Sequence, residues 1–148
     1  VYVLPGVPDE MKAMFERVSP EFSGERVHVE TVVADEPESA LVDRLADLQE
    51  RFNTSVGSYP GETVRLRVRS RDSEEAERAA AYQTTTRMLE RGSIDVEQAK
   101  RIDERLDRAG EVLDTARRLI EAGCVGDAEQ RLGVAESTLT AVEQELAQ

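Results

Sequence analysis

The 148-residue chain carries a formal net charge of -12 and only 4% aromatic residues. Such a field argues against non-specific binding to nucleic acid or an anionic membrane, and no apolar run approaches the roughly 18 residues of a spanning helix. The single cysteine, Cys124, excludes an internal disulfide and fits a reducing, cytoplasmic setting. Lys12 and Lys100 are the only lysines; every other basic residue is Arg. Acidic, Lys-poor composition resembles that of proteins from salt-loving organisms, where high salt screens self-repulsion. The chain starts without Met inside a strand-like run, which predicts a fragment of a longer protein.

In chain order, Val1–Leu4 reads as a strand and Pro5–Pro8 as a turn. A helix follows over Asp9–Val18, with Met11, Met14, Phe15 and Val18 as its apolar stripe and Pro8 suited to its first position. Residues 19–25 read as a loop. RVHVETVVA alternates as a strand, with Val27, Val29 and Thr31 on one side and His28, Glu30 and Val32 on the other. The second helix falls within residues 35–52, presenting Ala40, Leu41, Leu45 and Leu48, with Phe52 near its end. Residues 53–62 read mostly as turn, with a short strand at Thr54–Val56. TVRLRVRS sets Val64, Leu66 and Val68 against Arg65, Arg67 and Arg69, which predicts a strand with one wet face near a sheet edge. Asp72 and Glu75 form a candidate capping box for a helix ending before Gly92.

The tail has another rhythm. Ala99, Ile102, Leu106, Ala109, Leu113, Ala116 and Ile120 step by three and four, and Val125, Ala128, Leu132, Ala135, Leu139, Val142 and Leu146 repeat the pattern. Heptad spacing of this kind puts a seam on each of two helices, and Gly123 and Gly126 bracket their connection. Asp95 with Gln98 is a candidate capping box. The expected organisation is an α/β unit over 1–91 and a heptad-patterned antiparallel hairpin over 92–148. The negative charge divides evenly between them.

Several groups could carry chemistry. In the turn Pro5-Gly6-Val7-Pro8, backbone N–H groups before a helix start suit phosphate or carboxylate, with a stiff structural turn as the plainer role. In Gly57–Gly61, Ser58 and Tyr59 could hold a phosphate oxygen and a heterocycle; a tight strand connection is the alternative. Glu38 and Ser39 open the second helix, where Ser39 or Asp35 suits the cap. Arg65, Arg67, Arg69 and Arg71 make the best local anion surface, or simply a solvated strand face. His28 lacks a metal-like companion, and Cys124 lacks a base. No catalytic residue or metal ligand is assigned.

VYVLPGVPDEMKAMFE resembles the LPGVPxEM segment of the CinA-like, MoaB/Mog-like molybdopterin-binding family. Glu38-Ser39 followed by ALVDRLADL, and VGSYPGETVRLRV, are similar to its later segments, so the resemblance spans about residues 1–82. It implies part of a three-layer sheet domain. It also implies a pocket for molybdopterin or a nucleotide phosphate at Pro5, Gly6, Val7, Pro8 and Glu10, with Ser58, Tyr59 and Pro60 nearby. The family's glycine-rich loop and magnesium-holding acids are not in this chain, so Mg is expected only in a complete parent domain. The expected function is binding of a phosphorylated pterin or nucleotide, with a homo-oligomer as a further expectation. The alternative is an interaction module whose hairpin meets a helical partner. A complete enzyme is the least supported reading, because no nucleophile–base pair is evident.

Overall fold

The computed structural model describes residues 3, 5–22 and 24–148. Its elements are α1 (Pro8–Val18), a 3-10 turn (Ser19–Glu21), β1 (His28–Ala34), α2 (Glu38–Arg51), β2 (Ser55–Tyr59), β3 (Val64–Ser70), α3 (Ser73–Glu90), α4 (Val96–Glu121) and α5 (Val125–Leu146). The fold is mixed α/β. The strand expected at Val1–Leu4 rests on residues 1, 2 and 4, which lie outside the described residues.

The three strands form one antiparallel sheet in the order β1-β3-β2. The arginine-bearing β3 is therefore central, and its expected edge position is corrected. A wet face reports an uncovered side of a sheet, and β3 gains partners on both edges while keeping that side open. On the inner side Val32, Ala34, Val64 and Leu66 pack with Leu41, Leu45 and Ala80. Val68 joins Leu48, Phe52, Ala79 and the ring of Tyr82. Both α2 and α3 thus cover the same face. On the other face Arg65 and Arg67 are exposed, which replaces the expected three-layer sheet by one covered on a single side. In α2, Leu41 and Leu48 are buried while Ala40 is exposed.

Helix α3 serves two interfaces. Ala79 and Ala80 meet the sheet and α2, while Ala81 joins Ile102, Leu106, Ala109, Leu139 and Val142 of the hairpin. Small side chains let both neighbours approach. Asp72 accepts from the Glu75 N–H at 3.2 Å, but the return half of that box is absent: Glu75 instead binds Arg78 and the Asn53 N–H. Asp95 and Gln98 complete theirs. The helices end where glycine accepts the left-handed conformation, Gly92 at φ 68° after α3 and Gly123 at φ 80° after α4.

The hairpin forms as its heptads predict. Ile102, Leu106, Leu113 and Leu139 are almost fully buried, each worth roughly 1.5–3 kcal/mol of apolar transfer. Ile120 and Val125, beside the turn, stay exposed. Helix α1 is the opposite case. Its amphipathic pattern makes the helix, yet none of its residues is buried. Met11, Met14 and Phe15 are exposed, with the Phe15 ring stacked on Phe22 at 6.3 Å.

A carboxylate cluster lies where α3, α5 and β1 meet. Burial, reinforced by Glu143, Glu74, Glu30 and Glu136, pushes Glu77 up to about 7 from an ordinary 4.5. Between those values the folded chain holds a proton that the unfolded chain releases, so stability falls as pH rises through this window. Glu77→Gln should therefore melt above the parent at pH 8, with the gap closing toward pH 4.5 and shrinking in high salt. Thermal melts at both pH values check this; an equal gap at each would remove Glu77 as the cause.

Candidate functional site

The strand register arranges the open face. Arg69 sits between Val29 and Ser55, Arg67 between Thr31 and Gly57, and Arg65 between Val33 and Tyr59. The Tyr59 ring leans back along its strand over Gly57, whose missing Cβ leaves that space, and lies 4.5 Å from the Arg67 guanidinium carbon. Arg69 donates to the Tyr59 hydroxyl. Among the described residues, Arg65, Arg67 and Arg69 form no ion pair, whereas half of the other arginines do; what sets these three apart is their place side by side on one strand. Arg71 pairs with Glu25 alone among the described residues, and both side chains are largely exposed.

The arginine face runs into a cleft of about 1040 Å³ at the end of the sheet. Val27, Val29, Ser55, Arg69 and Arg71 line it, with Asn53, Thr54, Asp72, Glu75 and Arg117. The volume matches the upper range of small-molecule sites, about 300–1,000 Å³. The Thr54 hydroxyl is buried and has no hydrogen-bond partner among the described residues. Asp72 and Glu75 are already committed. Asp72 accepts from Arg117 at 2.5 Å, and Glu75 from Arg78 at 2.9 Å. Burial raises Asp72, but its bonds from Arg117 and the Glu75 N–H outweigh this and hold it below the usual carboxylate range. The Asp72 bond in turn raises Arg117.

The residues singled out from the sequence fall in three places. Pro5 is half-buried, Gly6, Val7, Pro8 and Glu10 are exposed, and none of them lines a cleft around the sheet. Ser58 and Tyr59 lie within β2, so they face opposite sides of the sheet, while Pro60 begins the connection to β3. Ser58 donates to Glu38 in a separate cleft that also includes Ser39. Pro37 occupies the α2 cap, and Asp35 pairs with Arg91 instead. Only the arginine row and Tyr59 come together at the open face. Sequence reading missed Arg117, which the hairpin brings in by packing on α3, and the Asn53–Ser55 wall, which the pairing of β2 with β3 sets beside Arg69.

Residues 26–98 match the family model described as FAD synthase, middle domain. The match covers just under half of the chain, spanning β1 to the start of α4. No curated protein and no solved structure matches. This match overturns the CinA-like, MoaB/Mog-like molybdopterin-binding assignment and its link to molybdenum cofactor biosynthesis. The LPGVPDEM segment that led that resemblance lies outside the matched residues, and the matched residues build an antiparallel sheet covered on one side. The arginine face and most of the cleft fall inside the match. Among the described residues, no helix is long and apolar enough to cross a membrane, and no group of three or more His, Cys, Asp or Glu is arranged to hold a metal ion.

Proposed function

We propose that this chain is a binding module for a phosphorylated nucleotide, seated in the cleft at the end of the arginine face. The observation that carries this reading is local charge. In a chain of net charge -12, Arg65, Arg67 and Arg69 stand side by side on one strand that runs to Arg71 and the cleft, and among the described residues none of the three has a carboxylate partner. Guanidinium groups suit phosphate because they offer planar, paired donors. The remote acidic field opposes an anion weakly, since screening acts over about 8 Å at physiological salt and 3 Å at 1 M. Apolar contact comes from Val27 and Val29, and hydroxyls from Thr54 and Ser55. Similarity to a family named for FAD synthase supports a nucleotide ligand. The groups lining the cleft favour binding over catalysis, as among the described residues no hydroxyl there bonds to a carboxylate base.

Calorimetry with adenosine monophosphate and flavin mononucleotide tests this. Saturable binding of at least one is expected, and Arg69→Ala with Arg71→Ala should weaken it at least about tenfold, the scale of two lost charge-assisted hydrogen bonds. No binding by folded protein, or equal binding by the double variant, would overturn the reading.

The exposed Met11, Met14 and Phe15 favour a second role in protein interaction. It would act through α1 rather than the hairpin, whose seam residues bury one another and Ala81 of α3.

A further inference from the structure

The cleft draws its cations from two distant parts of the chain. Arg69 and Arg71 come from the end of β3, while Arg117 comes from the fourth helix, within the hairpin. Their resting states differ. Among the described residues, Arg69 has no carboxylate partner and donates to the neutral Tyr59 hydroxyl, and Arg71 pairs with exposed Glu25 alone, so both keep donors for an incoming anion. Arg117 is held by Asp72 through Nη2 and by Asp114 at 2.9 Å through Nη1. A guanidinium has five N–H donors, and these two contacts leave others for a ligand oxygen. Arg117 can thus accept a phosphate without releasing Asp72, which continues to cap α3.

A single phosphate is served by the β3 arginines alone. A second phosphate adds acceptor oxygens beyond those that the two β3 arginines bond, and the remaining guanidinium lining the cleft is Arg117. Asp72 and Glu75 also line it, and Arg117 and Arg78 neutralise them, so what Arg117 offers a second phosphate is its remaining N–H donors rather than unbalanced charge. We infer that the cleft selects a nucleoside diphosphate over a monophosphate, with the hairpin's Arg117 holding the second phosphate. This rests on the nucleotide-binding reading above and makes the hairpin a wall of the site.

Calorimetry with ADP and AMP on the full chain tests it, comparing the parent with Arg117→Gln and Arg118→Gln. Arg118 is exposed, bonds to the Asp114 carbonyl and does not line the cleft. The parent should bind ADP about tenfold more tightly than AMP, an increment typical of one added charge-assisted contact. Arg117→Gln should remove most of that preference, weakening ADP about tenfold and AMP by less than about threefold. Arg118→Gln should match the parent for both nucleotides. Melting curves report whether Arg117→Gln keeps the fold; if it does not, Arg117→Lys retains the charge beside Asp72 and should show a partial loss of preference. Equal affinities in the parent, or equal loss of both nucleotides in Arg117→Gln, would overturn the diphosphate inference while leaving the nucleotide site intact. If neither nucleotide binds the folded parent, the diphosphate inference falls, and the nucleotide-binding reading falls with it when flavin mononucleotide also fails to bind.

Discussion

Gly110→Ala should destabilise the protein by about 2–4 kcal/mol, although alanine is favoured over glycine within a helix by about 1 kcal/mol. Gly110 is buried in α4, and a Cβ there would overlap the Arg78 guanidinium. That guanidinium has little freedom to retreat. Its Nε donates to the Leu106 carbonyl and its Nη1 to Glu75, both at 2.9 Å. The two charged side chains are only 11% and 9% exposed. Displacing Arg78 leaves Glu75 buried without its cation, a situation that typically costs about 3–5 kcal/mol. Urea denaturation measures the loss. In an Arg78→Met background the steric conflict changes character, and Gly110→Ala should become neutral or stabilising. A penalty of the same size in both backgrounds would show that Arg78 is not its source.

Phe52→Ala should cost about 3–5 kcal/mol, the usual range for removing a buried aromatic ring. Phe52 follows the last turn of α2 and is only 2% exposed. Its ring meets Tyr82 at 5.5 Å and lies under the Arg78 guanidinium at 5.3 Å, beside Leu48, Val68 and Ala79. The substitution opens a cavity where α2, the sheet and α3 converge, and it removes apolar cover from the Arg78–Glu75 pair. Phe52→Leu should recover more than half of the loss. Chemical denaturation of both variants checks this. A loss near 1 kcal/mol for alanine would mean that the site collapses around the missing ring.

These two positions show what is legible in a sequence. Phe52 ends an apolar stripe at helical spacing, so its burial is read directly from periodicity. The heptad seams, the Asp95–Gln98 box and the alternation of β3 are equally local patterns, and each forms. Gly110 carries no such signal, because it is explained by an arginine 32 residues earlier. The central position of β3 is hidden for a related reason: alternation reports which face is wet but not which strands lie alongside. The pairing of Ser58 with Glu38 and the approach of Arg117 to Asp72 also depend on chain return. The LPGVPDEM turn had clear chemistry in isolation, yet the grouping that supports a site arises at the opposite end of β3 from the β2 connection. Tyr59 joins that grouping only because strand alternation separates it from Ser58.

The shared wall at α3 bears on how this protein can change over generations. Ala79 and Ala80 set the distance to the sheet, and Ala81 sets the distance to the hairpin. Enlarging one of these side chains strains a contact that the opposite surface prevents the helix from escaping. Drift at α3 is therefore confined from two sides, whereas α1, with no buried residue, is free to vary wherever no partner constrains it.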